Sequence, residues 1–363
     1  MKPTLTVAAV GDVMLNQPFG DGLPLEDLQA ADFRVANLEG PITAGGYLAD
    51  KIAHLVMPPG TAQQVRGLGL DLVALANNHM MDTGPQGIQD TVAELRANGI
   101  GHAGAGMNLA EALEPHITEV KGARVATVSL AATVPPGAAA GQARPGIAPL
   151  RVRVSYWADG TINEEQPGTP PWVHTEVMEE DLRPALEAVR AARQQADVVL
   201  VQMHWGVPPE WNSPFQGDLA EYQRPLAHAL VEAGATVILG HHAHALVGIE
   251  RHGGALIFYS LGNFLLHWYS GLKGLKPQRP APFFKPRYSE RNRQSVIARL
   301  RFEQDGGWGL AGVELVPCRL DDNGEARRVW GDKAGEILET LARSDATMGV
   351  KLRLRDDGVI ELE

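Results

Sequence analysis

The sequence predicts an α/β protein, and two features indicate this fold class: the pattern of the first 265 residues and the Gly and Pro content of the whole chain. Short apolar runs alternate with segments in which apolar residues recur every three or four positions, the patterns of buried strands and of one-sided helices. Gly and Pro, with 40 and 25 residues, are frequent enough to supply turns between many short elements. We therefore expect a layered domain in which helices cover a sheet.

The helix expected at residues 85–98 shows how each element is justified. Its apolar residues Ile88, Val92 and Leu95 share one face, and Gly99 is suited to end it. The same reasoning predicts strands at 4–10, 70–76, 124–130, 197–203 and 236–239, and helices at 178–195 and 219–233.

We expect residues 1–363 to form a single domain with two excursions, at about 145–171 and 268–295, and a β-rich extension at 296–363. The extension alternates like strands and has one helical stretch near 334–341, so we expect it to close the second sheet of the domain rather than to pack as an appendage. The excursion at 268–295 carries seven Lys and Arg residues against one Glu.

The composition excludes several classes of protein. Hydrophobic residues at 44% and charged residues at 21% exclude a disordered or coiled-coil chain. The single cysteine, Cys318, excludes a disulfide framework and a thiolate metal cluster. The net charge of −11 argues against general nucleic-acid binding, and no apolar run is long enough to span a membrane. If the sequence starts where its gene does, the first strand follows at once and a cytoplasmic protein is predicted.

Polar residues follow directly after several of the apolar runs, namely Asp12, Asn78, His204 and His242. Ligand sites of α/β folds gather at the carboxyl ends of strands, so these side chains are expected to converge. Taken singly, each has a plainer interpretation: Asp12 as a turn or helix cap, Asn77-Asn78-His79 as a hydrogen-bonded loop, and His204 as a buried histidine.

The segment Gly240-His241-His242-Ala243-His244 is more specific, because it places several imidazoles after one strand. In extended backbone His242 and His244 would project to one side and His241 to the other. Together with the Asp, Glu and Asn side chains, these histidines suit Mn, Fe, Zn or Ni. A carboxylate flanked by histidines is the composition expected of a two-metal hydrolase, in which the ions activate a water and stabilise the leaving oxygen.

The ordered motifs GDVM, NLEGPIT, NNH, HWG, GHHAH and YSLGNF, spread over residues 5–266, resemble the capsule-biosynthesis CapA (poly-γ-glutamate synthesis) family. That family looks like a branch of the calcineurin-like metallophosphoesterases. The resemblance implies a four-layer αββα sandwich of two mixed sheets, with a centre for two divalent metal ions where the loops of the two sheets meet.

The resemblance also implies roles for individual residues. Asp12 and His244 would hold one metal ion, Glu39 would bridge the two ions, and Asn78, His204 and His242 would hold the other. His79 would act on the leaving group or the attacked phosphate. For contact with the substrate we expect five residues: Trp205, Asn263, Trp268, Lys273 and Arg287. For Trp205 and Asn263 a packing role is an equal alternative.

Two departures from the family pattern matter. Met14 stands where the superfamily usually has a histidine, and a thioether is a poor ligand for hard divalent ions. The better-known family members are anchored at the membrane, and this sequence shows no anchor.

Three functions follow as hypotheses. The first is a phosphoesterase acting on a small or polymeric anionic substrate, and the second is a hydrolase of γ-glutamyl amide bonds. The third is a non-catalytic binding protein in polymer assembly, which the Met14 departure favours.

Overall fold

A computed structural model of the chain describes residues 2–51, 53–208, 217–267 and 290–363. In this part of the chain the helices are α1 (Leu25–Gln29), α2 (Thr61–Gly67), α3 (Pro85–Ala97), α4 (Leu109–Leu113), α5 (Gly160–Glu165), α6 (Glu179–Gln195), α7 (Gln223–Glu232) and α8 (Asp332–Arg343), with a 3₁₀ turn at Glu290–Arg293. The strands are β1 (Thr4–Met14), β2 (Phe33–Leu38), β3 (Leu72–Ala74), β4 (Gly101–Ala103), β5 (Ala105–Gly106), β6 (His116–Val120), β7 (Ala123–Ala131), β8 (Gly146–Ile147), β9 (Val152–Trp157), β10 (Trp172–Val177), β11 (Val198–His204), β12 (Val237–His241), β13 (Leu246–His252), β14 (Ala255–Leu261), β15 (Asn263–Leu266), β16 (Gln294–Gln304), β17 (Trp308–Leu320), β18 (Ala326–Arg328), β19 (Leu352–Leu354) and β20 (Ile360–Leu362).

Two large mixed sheets organise the fold. The first has the order β19-β20-β17-β16-β1-β2-β3-β4, with β15 beside β1 and β18 beside β17. Its strands β1 to β4 run parallel, and β16 runs antiparallel to β1. The second has the order β13-β14-β12-β11-β7-β6, in which parallel central strands are flanked by the antiparallel edges β13 and β6. In both sheets the parallel strands deliver their carboxyl ends to one edge.

The alternation of side chains along each strand creates two apolar layers. On β1, Leu5 and Val7 belong to a core that also contains Val198 and Leu200 of β11, so the two sheets pack face to face. Ala8 and Val10 point to the opposite face of β1 and belong to the other core, which lies on the outer faces of the two sheets.

Helices cover both outer faces. Leu28 of α1, Val65 of α2 and Leu95 of α3 pack in the outer core with β1 to β3, while Val189 of α6 and Leu226 of α7 pack there with β7 and β11. This arrangement is the four-layer αββα sandwich of calcineurin-like metallophosphoesterases, and the predicted fold class is confirmed.

The C-terminal extension supplies strands to the sheet of β1. β16 pairs with β1 and with β17, and β17 in turn pairs with β18 and β20. The strands of the other sheet all end before residue 262, and Met348 of the extension forms an isolated parallel bridge with Glu250 of its edge strand β13. The helical stretch near 334–341 lies within α8.

Several predicted boundaries differ from the structure. The strand expected at 70–76 is shortened to β3, and β1 extends four residues beyond the expected 4–10. The helix expected at 219–233 begins only at Gln223, whose side-chain Oε1 accepts a hydrogen bond from the Ala220 N–H at 2.8 Å. That contact fixes the turn before α7 and prevents an earlier start.

The excursion at 145–171 leads into a separate antiparallel ribbon of β9 and β10, which exposes Trp157 and Trp172 to solvent. Of the basic excursion, residues 268–289 lie outside the described part of the chain. In the described ranges no helix combines the length and the apolar character that crossing a membrane would require.

Candidate metal centre

The first sheet contributes a row of polar side chains at the carboxyl ends of its strands. The backbone of β1 is irregular between Asp12 and Val13, and at this level Asp12 lies beside Asn37 of β2 and Asn263 of β15. The Asn37 amide donates to Asp12 Oδ1 at 2.8 Å. The Glu39 N–H donates to the Val13 carbonyl at 2.9 Å, which places Glu39 next to this row.

The second sheet contributes histidines. His204 is the last residue of β11 and lies opposite His241, the last residue of β12. The expectation of extended backbone at 241–244 is wrong, because His242 and His244 both have positive φ, 84° and 50°. This turn still brings the two imidazoles to one side, with ring centroids 6.0 Å apart.

The structure brings the six predicted metal ligands together. His204 Nε2 lies 2.9 Å from Asn78 Oδ1, 3.2 Å from His242 Nδ1 and 3.8 Å from Glu39 Oε1. His244 Nε2 lies 3.5 Å from Glu39 Oε1, and its Nδ1 lies 3.5 Å from Asp12 Oδ2. The ligand atoms form two groups, Glu39 with His204 and His242, and Asp12 with Glu39 and His244. Glu39 belongs to both groups.

The chemistry of Glu39 fits a cation. Its side chain is completely buried, and neither carboxylate oxygen has a hydrogen-bond partner within the described residues. A buried carboxylate in that state is strongly disfavoured unless a positive charge compensates it. Burial, opposed by the charge of His244, raises the pKa of Glu39 to about 8. The residues therefore fit divalent ions at this position.

The histidines divide into two kinds. Burial and the neighbouring imidazoles lower the pKa values of His204 and His242, so both rings are neutral and have lone pairs for a metal ion. For His244, burial alone would lower the pKa, but the Glu39 and Asp12 carboxylates outweigh it and raise the pKa. A proton on His244 therefore partly compensates the carboxylates when no metal is bound.

Supporting hydrogen bonds orient these ligands. Asn263 Oδ1 lies 2.8 Å from His244 Nδ1, and the Asn263 amide donates to the His244 carbonyl at 3.2 Å.

The prediction that His241 projects away from His242 and His244 holds only in part. Its Nε2 lies 3.0 Å from Gln202 Oε1, while its Nδ1 is 3.6 Å from Asp12 Oδ1. Asn37 and Gln202 were not predicted, because an amide inside a strand resembles any other polar residue there.

His79 lies beside the cluster and is part of a second network. Its Nδ1 is 2.7 Å from Oδ2 of the fully buried Asp82. Burial lowers the pKa of His79 against the raising effect of this hydrogen bond, so the ring is neutral at pH 7. Sequence analysis missed Asp82, although its spacing in Asn-His-x-x-Asp was a usable signal. It also missed Lys51, whose Nζ contacts Asp82 Oδ1 at 2.6 Å.

Of the five residues predicted to contact the substrate, the two that the structure describes are both buried. Trp205 is fully buried, stacks on Tyr259 at 5.6 Å and donates its indole N–H to the Tyr259 carbonyl, so it packs inside the wall of the site. Asn263 is also buried and supports His244. Trp268, Lys273 and Arg287 lie outside the described residues.

Met14 lies in the outer core, with 4% of its surface exposed. It therefore acts as a packing residue.

A separate cluster, His228, Glu250 and His252, also has ligand atoms close together. Here, however, the carboxylate is satisfied: Glu250 accepts hydrogen bonds from Arg224 at 3.1 Å, from His228 at 2.7 Å and from the Tyr259 hydroxyl at 2.7 Å. Glu39 differs in having no hydrogen-bond partner within the described residues, so its cluster suits a cation whereas the Glu250 cluster is already hydrogen-bonded.

Comparison with known proteins places this geometry in a family context. The family model for the bacterial capsule synthesis protein PGA_cap matches residues 6–267. The PGA biosynthesis protein CapA of Bacillus subtilis is 32% identical over 240 residues, 65% of this chain and 54% of the relative. The capsule biosynthesis protein CapA of Bacillus anthracis is 29% identical over 276 residues, 72% of this chain and 59% of the relative.

A probable polyglutamine synthesis accessory protein of Mycobacterium tuberculosis is 28% identical over 352 residues, 95% of this chain and 80% of the relative. The chain spans between half and three fifths of the length of the two Bacillus relatives.

Proposed function

Because this chain belongs to the bacterial capsule synthesis family PGA_cap, we propose that it is a metal-dependent phosphoesterase acting on an anionic substrate. The observation that carries the proposal is Glu39, a buried carboxylate without a hydrogen-bond partner in the described residues and common to both groups of ligands. A carboxylate shared by two sets of nitrogen and oxygen ligands is the arrangement that dinuclear hydrolases use.

The proposal assigns the ligands to two sites. Asp12, Glu39 and His244 would hold one divalent ion, and Glu39, Asn78, His204 and His242 the other. Ions bound there would supply an activated water and charge compensation for the leaving oxygen. The ligand types suit Mn, Fe, Zn or Ni.

His79 is proposed to act on the substrate. Its Nδ1 is engaged by Asp82 at 2.7 Å, which fixes the ring and leaves Nε2 as the nitrogen for a substrate oxygen. In its protonated form, which the hydrogen bond to Asp82 favours, His79 would give the Nε2 proton to the leaving oxygen and return to the neutral ring.

A second candidate function is hydrolysis of γ-glutamyl amide bonds. The names of the relatives, PGA biosynthesis protein and polyglutamine synthesis accessory protein, favour a polyglutamate substrate. The same ligands and His79 would serve this reaction, with the amide nitrogen as the leaving group in place of an alcohol oxygen.

The test combines metal analysis with activity. Elemental analysis of the purified protein is expected to find two divalent ions per chain, and added Mn²⁺ should support turnover of a phosphodiester or a phosphomonoester. Asp12→Ala and His204→Ala should abolish this activity while the far-UV circular dichroism stays unchanged. His116→Ala, which removes a histidine of β6 outside the site, is the matched control and should keep full activity.

Other outcomes would point to the alternatives. Release of amines from polyglutamate, with no phosphate released from any ester, would select the amide hydrolase. Tight binding of polyglutamate without turnover under any metal would overturn both enzymatic functions and select a binding protein.

A further inference from the structure

Lys51 is the one cation in direct contact with the His79 network among the described residues, and sequence analysis assigned it no role. It lies in the irregular segment between β2 and α2, yet only 17% of its side chain is exposed. Its Nζ donates to Asp82 Oδ1 at 2.6 Å and to the Asn78 carbonyl at 2.6 Å. Both contacts have the short length of charge-assisted hydrogen bonds.

The buried carboxylate of Asp82 explains why a cation is needed there. Asp82 Oδ2 accepts from the Leu55 N–H at 2.7 Å and lies 2.7 Å from His79 Nδ1, while Oδ1 accepts from Lys51. An ionised carboxylate with no exposed surface is stable only when it is paired and hydrogen-bonded on both oxygens. Lys51 supplies the charge for that pairing.

The hydrogen-bond direction at His79 follows from these contacts. Nδ1 lies 2.7 Å from the Asp82 oxygen and 3.2 Å from Lys51 Nζ. One ring nitrogen cannot donate to Asp82 and accept from Lys51 at the same time. The contact with the Asp82 anion is the shorter one, which indicates that Nδ1–H donates to Asp82. Asp82 therefore fixes the tautomer of His79, and Lys51 fixes Asp82.

The second contact of Lys51 reaches the other network. The carbonyl that it binds belongs to Asn78, whose side-chain Oδ1 lies 2.9 Å from His204 Nε2. One ammonium group thus supports both the residue proposed to act on the substrate and a residue proposed to hold a metal ion. Two of its three N–H donors are directed at these acceptors, so its charge acts on Asp82 and on the Asn78 carbonyl.

We propose that Lys51 is a positioning residue, which holds His79 through Asp82 and Asn78 through its backbone, so that the chemical step depends on it more than substrate binding does. This inference rests on the proposed function. Supporting side chains of this kind typically change metal affinity or activity by about 10- to 100-fold when they are removed.

The experiment compares Lys51→Met with Lys51→Arg in the full-length protein loaded with Mn²⁺. Lys51→Met is expected to lower kcat by about 100-fold and to change KM by less than about threefold, and to weaken Mn²⁺ binding by about 10-fold. Lys51→Arg, which keeps the charge, should recover part of kcat. Arg34→Met is the control, because Arg34 of β2 forms a partly buried ion pair with Asp71, just before β3, and neither residue belongs to the proposed ligands or to the His79 network.

A loss of stability alone would not support the proposal. If Lys51→Met unfolds because Asp82 becomes an unpaired buried charge, the double variant Lys51→Met/Asp82→Asn removes that charge, and it should fold with the same low kcat. Wild-type kcat in any folded Lys51→Met variant, or a rise in KM without a change in kcat, would overturn the positioning role.

Failure of the proposed function gives a different result. If the wild-type protein turns over no ester or amide, the Mn²⁺ affinity and the visible spectrum of bound Co²⁺ still test Lys51. Unchanged values in Lys51→Met would reject the support of Asn78, whereas weaker binding and an altered spectrum would sustain it.

Discussion

Glu39 links the ionisation of the candidate metal centre to the stability of the fold. Without a metal ion, its buried carboxyl group has a pKa raised to about 8 by burial, and the pKa of His244 is also raised, by Glu39 and Asp12. Both groups therefore bind more protons in the folded chain than in the unfolded chain just above pH 6.5, the ordinary pKa of histidine. His79, His204 and His242 have lowered pKa values and oppose this effect below about pH 7.5, where histidines of the unfolded chain still hold protons.

The first prediction concerns the pH dependence of stability. Above about pH 7.5 the unfolded chain has lost nearly all of its carboxyl and histidine protons, whereas the folded metal-free protein still has to lose the Glu39 proton, so its free energy of unfolding should fall as the pH rises through about 8. The slope is at most about 1.4 kcal/mol per pH unit for each proton. Urea unfolding in the presence of a chelator measures it, and Glu39→Gln should flatten the fall. An equal fall in Glu39→Gln would show that other groups cause it.

The same residue predicts the opposite trend for metal binding. Since a metal ion needs the ionised form of Glu39, Mn²⁺ affinity should rise with pH across this window. Competition with a chelator of known affinity measures it, and a pH-independent affinity would contradict the assignment of Glu39 as a ligand.

Asn263 gives a further prediction at the level of single residues. Its side chain contacts His244 Nδ1 at 2.8 Å and fixes the ring, so Asn263→Ala should weaken metal binding by about 10- to 100-fold with little change in fold. Asn98→Ala, at the end of α3, removes an asparagine hydrogen bond far from the site and should leave metal affinity unchanged. Equal losses in both variants would indicate a general effect on stability.

At the level of elements, β1 positions the site because it is paired on both sides at the level of Asp12. The Asp12 N–H donates to the Gly262 carbonyl at 3.1 Å, and this close approach requires a glycine at position 11. A Cβ atom on Gly11 would lie 1.8 Å from the Gly262 carbonyl oxygen, a backbone atom that cannot move aside cheaply. In the sequence Gly11-Asp12, a glycine that close packing requires therefore directly precedes a proposed metal ligand.

We accordingly expect Gly11→Ala to lower the free energy of unfolding by about 3 kcal/mol or more and to weaken metal binding, because Asp12 must shift. Gly335→Ala in α8 is the matched control, since no atom lies within 4 Å of its added methyl group. That change should raise the free energy of unfolding by about 0.5–1 kcal/mol. Thermal and urea unfolding measure both, and a neutral Gly11→Ala would contradict the close approach.

For the whole molecule, the strands after residue 290 are part of the sandwich. β16 lies next to β1 in the centre of the first sheet, and its buried Val296, Leu300 and Phe302 belong to the core between the sheets. The match to the family model, residues 6–267, ends before these strands. The matched region alone therefore lacks one partner of β1 and part of that core.

A chain that ends at residue 267 should therefore be insoluble or lack a cooperative unfolding transition. The control replaces residues 153–176 with a two-residue Asn-Gly turn, because Val152 and Val177 are already paired at the base of the β9–β10 ribbon. This protein should fold and keep its metal affinity. A soluble, cooperatively folded product from the chain that ends at residue 267 would show that the extension is dispensable.

The sequence by itself determined the fold class, the family and the identity of most residues in the candidate metal centre. Apolar periodicity along a strand or helix is local, and the ordered motifs around Asp12, Asn78 and His242 carry their residue types with them. The resemblance of these motifs to a family implied the αββα sandwich, and alternation along the chain predicted strands in the extension.

Tertiary structure alone decided which groups those residues meet. The pairing of Lys51 with Asp82, the contact of Asn263 with His244 and the burial of Trp205 depend on chain segments that are distant in sequence or on backbone turns without a periodic signal. The positive φ angles of His242 and His244 likewise replaced the expected extended backbone. A local pattern records which face of an element is buried, but hydrogen-bond partners are selected only when separate elements pack together.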